Sequence, residues 1–90
     1  MPKAMLYTVR GRVQGVGFRF FAYRAAEEND LSGWVRNVDD DCVEVFAEGE
    51  EEDLEIFHQR LLKGPPFAYV TEVVEEETAL KGVKGFRVCP

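Results

Sequence analysis

The sequence predicts an α+β sandwich: two helices on one face of an antiparallel sheet, in the order β-α-β-β-α-β with a short extra C-terminal strand. Three observations carry that expectation. Two segments repeat apolar residues at helical spacing, and the segments between them are rich in β-formers. No linker or internal repeat interrupts the alternation. The 90 residues, 46 % of them apolar, suffice for one modest core, so residues 1–90 are read as a single domain.

Each element has a local reason. In Met5 to Val13 (MLYTVRGRV), Leu6, Thr8 and Arg10 fall on one side and Tyr7, Val9 and Gly11 on the other, as in a strand. The turn Gln14 to Gly17 (QGVG) cannot continue it. Phe18 to Glu28 is a helix with the stripe Phe18, Phe21, Ala22 and Ala25, and Asn29 and Asp30 end it because both tolerate the left-handed conformation. Gly33 to Val38 and Cys42 to Ala47 form a hairpin around Asp39-Asp40-Asp41. Glu50 to Lys63 is the second helix, with acids at its start, Arg60 and Lys63 near its end, and Leu54, Phe57 and Leu61 on its apolar face. Gly64 and the two prolines after it stop that helix. Val70 to Thr78 is the fourth strand and Phe86 to Cys89 the short terminal one. Trp34, Phe46 and Phe57 are core candidates. This order is the ferredoxin-like split β-α-β arrangement, which by itself decides no function.

Composition excludes several classes. No apolar run approaches the roughly 18–20 residues of a membrane helix, and no apolar stretch behind Lys3 suggests a secretory signal. The expected location is the cytoplasm. Net charge is −6 but uneven. Residues 1–38 set six basic side chains against three acidic ones, whereas residues 39–90 set five against fourteen. A nucleic-acid binder needs a broad basic face, so the local excess suits a small anion instead. Cys42 and Cys89 match no zinc or redox spacing; they are incidental thiols or, alternatively, a disulfide. Asp39 to Asp41 and Glu75 to Glu77 read as solvated charge, since adjacent strand residues point to opposite faces, and no metal site is expected. His58, the only histidine, lies near the apolar stripe of the second helix and reads as structural.

The informative segment is GRVQGVGFR, Gly11 to Arg19. It leaves a strand, turns on glycines and enters a helix, so successive N–H groups can converge where the helix dipole is positive. Arg19 falls in the first helical turn, where a guanidinium can grip two phosphate oxygens. Neither common phosphate fingerprint fits: Phe18 and Arg19 replace the Lys and Ser/Thr of a Walker loop, and Phe20 stands where a dinucleotide loop has its third glycine. Local rules alone leave two readings open: an anion cradle, or a connection whose glycines serve packing and whose arginine is a surface charge. In GWVRN, Asn37 before the hairpin is equally a common turn residue.

Taken together, GRVQGVGFRFF, GWVRN, VEV and the later GPP resemble the acylphosphatase family over nearly the whole chain. The resemblance implies a hydrolase that splits acyl phosphates into a carboxylate and inorganic phosphate, with no metal, cofactor or phosphoenzyme. It implies that Arg19 binds phosphate, Asn37 holds the attacking water, and the N–H groups of Gln14, Gly15, Val16, Gly17, Phe18 and Arg19 cradle the anion. The expected partner is a small acyl phosphate, with no nucleic acid or membrane, and the expected state is a monomer. A shallow site reading chiefly the phosphate would discriminate little between acyl groups.

Two positions depart from the family pattern. Asp41 stands where the hairpin commonly has Gly; Asp adopts the left-handed conformation only at a cost, so a strained or differently shaped turn is expected beside Asn37. ENDL replaces a common Leu-Gly-Leu at the end of the first helix. Two other functions fit the same resemblance. One is a non-catalytic anion-binding module, which would not need Asn37. The other is an accessory domain of a hydrogenase-maturation carbamoyltransferase, which would need a much longer chain.

Overall fold

The computed structural model describes residues 1–90. The elements are β1 (Pro2–Arg12), α1 (Phe18–Glu28), β2 (Ser32–Val38), β3 (Cys42–Glu50), α2 (Glu51–Lys63), β4 (Tyr69–Thr78) and β5 (Phe86–Val88). Most boundaries lie within a residue or two of expectation. The largest extensions are three residues each, at the start of β1, which begins at Pro2, and at the end of β3, which runs through Glu50 straight into α2. Strand order across the sheet is β4-β1-β3-β2-β5.

The sheet is mixed rather than wholly antiparallel. The β1–β3, β1–β4 and β2–β3 pairs are antiparallel, but β5 runs parallel to β2, with Gly33 opposite Phe86 and Val35 opposite Val88. The cause is geometric. β4 finishes on one edge at the end of the sheet where β2 begins. A chain crossing from there to the free edge of β2 enters alongside it, in the same direction.

One face takes both helices. Tyr7 and Val9 of β1, Val35 of β2 and Val43, Val45 and Ala47 of β3 are buried there at the period of two that a half-covered sheet imposes. α1 adds Phe18, Ala22, Ala25 and Ala26, and α2 adds Leu54, Phe57 and Leu61, the apolar face expected of it. In α1, Ala26 takes the fourth buried place instead of Phe21. Phe21 is half-buried between the helices, capped by the Arg60 guanidinium 5.4 Å from its ring centre, and Arg60 in turn pairs with Glu28 at 2.8 Å.

The helix ends follow their residue chemistry. Asp30, at φ 55°, takes the left-handed position after α1, whereas Asn29 stays at φ −114° and donates from its side chain to the Ala25 carbonyl (2.8 Å). Gly64, at φ 70°, stops α2, and its N–H reaches the Arg60 carbonyl at 2.9 Å. In the hairpin the left-handed residue is Asp39 (φ 58°), not Asp41. The Asp41 carbonyl instead accepts from Gly11 N–H at 3.1 Å, which ties the far side of the turn to β1.

Trp34 does not enter the main core. It lies half-buried on the opposite face, stacked on buried Phe46 with ring centres 5.9 Å apart. Over this face, residues 79–85 form a strap from β4 to β5. Buried Glu48 holds it, accepting from Lys81 N–H at 2.8 Å and Val83 N–H at 2.6 Å. Two charge-assisted bonds to one carboxylate exceed what a surface ion pair supplies. Glu48→Ala is therefore expected to cost about 2–3 kcal/mol net of the desolvation it relieves, read as a Tm fall of roughly 10–20 °C by calorimetry. A change below about 3 °C would show that the strap is held by its ends alone.

Candidate active site

Three segments meet at one end of the sheet: the loop from β1 to α1, the end of β2 and the end of β5. Phe18 begins α1 and is buried, which fixes the rotation of the first turn and leaves the next residue, Arg19, turned toward the loop. Gly15 and Gly17 have φ of 72° and 79°. A Cβ at either would meet no neighbour within 4 Å, so the demand for glycine there comes from the dihedral and not from crowding. Val13 through Gly17 donate no backbone hydrogen bond, and the first intrahelical bond is Phe21 N–H to the Gly17 carbonyl at 3.0 Å. The N–H groups of Phe18, Arg19 and Phe20 precede it, at the positive end of the helix dipole.

Asn37 reaches this place by strand periodicity. Two residues beyond buried Val35, it points to the same, helix-bearing side of β2, and it is exposed. Val13, Gly15, Gly17, Phe18, Arg19, Phe20, Asn37 and Val88 line one cleft of about 220 Å³. Arg19 and Asn37 thus share a cleft, although 18 positions separate them in the chain.

The other loop residues do different work. Val16 is half-buried against the core and does not line the cleft. Gln14 uses its side chain as a latch: its amide nitrogen donates to the carbonyls of Asp39, of Cys42 at 2.9 Å and of Val38 at 3.4 Å. That latch fastens the loop to the hairpin that carries Asn37. Arg19 is itself held from afar, donating from Nη1 to the Cys89 carbonyl at 2.5 Å, while Cys89 N–H is bonded to the Val35 carbonyl at 2.8 Å. The guanidinium is oriented by β5 and retains further N–H donors for a ligand. Sequence patterns held no signal for these carbonyl partners, because any residue offers a backbone carbonyl.

Groups outside the cleft are accounted for structurally. His58 stacks on Tyr7 with ring centres 5.8 Å apart and sits 3.4 Å from Glu75. Burial, then Glu75 and Glu55, push the Tyr7 phenol far above its usual range. Glu75 and Glu76 lie opposite Tyr7 and Leu6 of β1 and so face opposite sides of the sheet. Cys42 and Cys89 are both free thiols, and burial raises Cys42 despite the opposing effect of Arg10.

The family model for acylphosphatase matches residues 5–88. A protein from Bacillus licheniformis named acylphosphatase is 52 % identical over 81 residues, covering 89 % of this chain and 90 % of that one. The chain belongs to the acylphosphatase family. A solved acylphosphatase from Bacillus subtilis superposes with a TM-score of 0.95 at 41 % identity, covering 100 % of both chains. The T. kodakarensis HypF structure also matches, with a TM-score of 0.83 and 38 % identity, but the match covers 100 % of this chain and only 12 % of that one. The acylphosphatase fold is thus shared by short proteins and by one segment of a much longer protein. No helix here is long and apolar enough to cross a membrane.

Proposed function

We propose that the cleft hydrolyses acyl phosphates without a metal, with Arg19 and the loop N–H groups binding the phosphoryl group and Asn37 placing the water. The observation that carries this reading is the shared cleft: a guanidinium at a helix N-terminus and a carboxamide on a neighbouring strand line one small space. An anion-binding module would need the first and not the second.

The chemistry asks little of the protein beyond position and charge. Water oxygen attacks phosphorus, the bond from phosphorus to the acyl oxygen breaks, and the carboxylate departs with the electron pair. That leaving group is weakly basic and needs no general acid. Asn37 cannot take a proton at neutral pH, but its carbonyl accepts a hydrogen bond from the water and aims a lone pair at phosphorus. The water proton passes to a phosphate oxygen of the substrate. Charge gathered on the equatorial oxygens meets Arg19 and the N–H groups of residues 14–19, each such fixed donor being worth about 3–4 kcal/mol in a preorganised site. Because these groups come from one chain, a monomer suffices.

Benzoyl phosphate loss, followed by absorbance with and without EDTA, tests the reading. The expected result is turnover that EDTA does not reduce and that inorganic phosphate inhibits. Phosphate binding without turnover would leave the anion-module alternative, and loss of activity in EDTA would overturn metal independence.

A further inference from the structure

We propose that Phe20 and Val88 form an apolar subsite for the acyl group, so that the enzyme selects aromatic acyl phosphates over small ones such as acetyl phosphate. This rests on the hydrolytic reading above and narrows its substrate class. The sequence alone suggested a site with few handles on the acyl group. The cleft nevertheless places two large apolar side chains at its mouth, Phe20 at 59 % exposure and Val88 at 40 %. Scattered exposed apolar residues are ordinary on a protein surface. These two border the same cleft as Arg19 and Asn37, and in the proposed complex the substrate is what covers them.

Their placement is fixed rather than loose. Phe20 stacks on Tyr23 with ring centres 6.0 Å apart and planes at 23°. Tyr23 packs in turn on Phe86, 6.4 Å away. Phe86 and Val88 lie on the same face of β5, two residues apart. An aromatic ladder thus runs from Phe20 through Tyr23 to Phe86, in the strand that also carries Val88, and Arg19 is bonded to the residue after Val88. A phosphate bound at Arg19 directs its acyl substituent outward between a ring face and a branched aliphatic group. At about 220 Å³ the cleft is below the roughly 300–1,000 Å³ of drug-sized ligand sites, so it suits a phosphate with one small flat group.

The test compares kcat/KM for benzoyl phosphate and acetyl phosphate in the wild type, Phe20→Ser, Val88→Thr and the control Ile56→Ser, an exposed apolar position on α2. The wild type is expected to favour benzoyl phosphate, chiefly through KM. Phe20→Ser and Val88→Thr are each expected to lower that preference about three- to tenfold, the factor an aromatic contact of this kind contributes. Ile56→Ser is expected to keep the wild-type ratio, and the inhibition constant for inorganic phosphate, which has no acyl part, is expected to stay within about twofold in the Phe20 variant. Melting curves confirm that the surface variants fold. An unchanged ratio in both mouth variants, or a wild type indifferent to the acyl group, would overturn the subsite and leave hydrolysis standing. If neither acyl phosphate were cleaved, the hydrolytic reading would fall and the subsite with it.

Discussion

Arg19→Ala is expected to lower kcat/KM for benzoyl phosphate by about a thousandfold or more and to abolish inhibition by inorganic phosphate at millimolar concentration. The magnitude follows from removing a charged, forked donor from a phosphoryl group whose stabilisation is almost wholly electrostatic. Arg19→Lys is expected to recover less than a tenth of the lost rate, because an ammonium is a point charge and cannot hold two oxygens in one plane. It also cannot span the Cys89 carbonyl and a phosphate with the same fork geometry. The half-buried side chain contributes little to the core, so Tm is expected to fall only a few degrees. A variant that kept both its rate and its phosphate inhibition would refute the assignment even in an active enzyme.

Asn37→Ala is expected to separate binding from turnover. Phosphate inhibition should stay within about twofold of wild type, since the cradle and Arg19 are untouched, while kcat falls at least about a hundredfold because the water is no longer aimed. Asn37→Asp sharpens the test. Its shape is the same and it can still accept from water, but its charge repels the dianion, so both affinity and rate are expected to drop. If Asp restored or raised kcat, the residue would be acting as a base and the proposed path of the proton would be wrong. Burst-free single-turnover kinetics in both variants would place the loss in the chemical step.

Much of this was legible locally. The i, i+3, i+4 spacing in Phe18–Glu28 and Glu51–Lys63, and alternation in the strands, report which side of each element meets the core. Position errors came where a neighbour outside the window intervened. Phe21 satisfies the helical stripe as well as Ala26 does, but Arg60 of the other helix covers it. Trp34 looks like core by composition, yet its place in β2 turns it to the face crossed by the strap. Asp41 carried the departure from the family pattern, while the turn closed with Asp39 left-handed.

Read along the chain, local patterns already specify the order of elements and set Arg19 at the mouth of a glycine loop entering a helix, and the motifs carry the family. The first two depend on dihedral preference and side-chain period over a few neighbouring residues, whereas the family rests on whole motifs such as GRVQGVGFRFF and GWVRN. Folding supplied the physical reason that Asn37, which the family resemblance assigns to the same site, shares Arg19's cleft. It alone set Cys89 to orient the guanidinium from 70 positions away, Gln14 to latch loop to hairpin, and Phe20 and Val88 to line that cleft together. Those contacts arise only when the sheet assembles and its edges are chosen. Their partners are largely backbone carbonyls and strand neighbours, which have no residue signature along the chain.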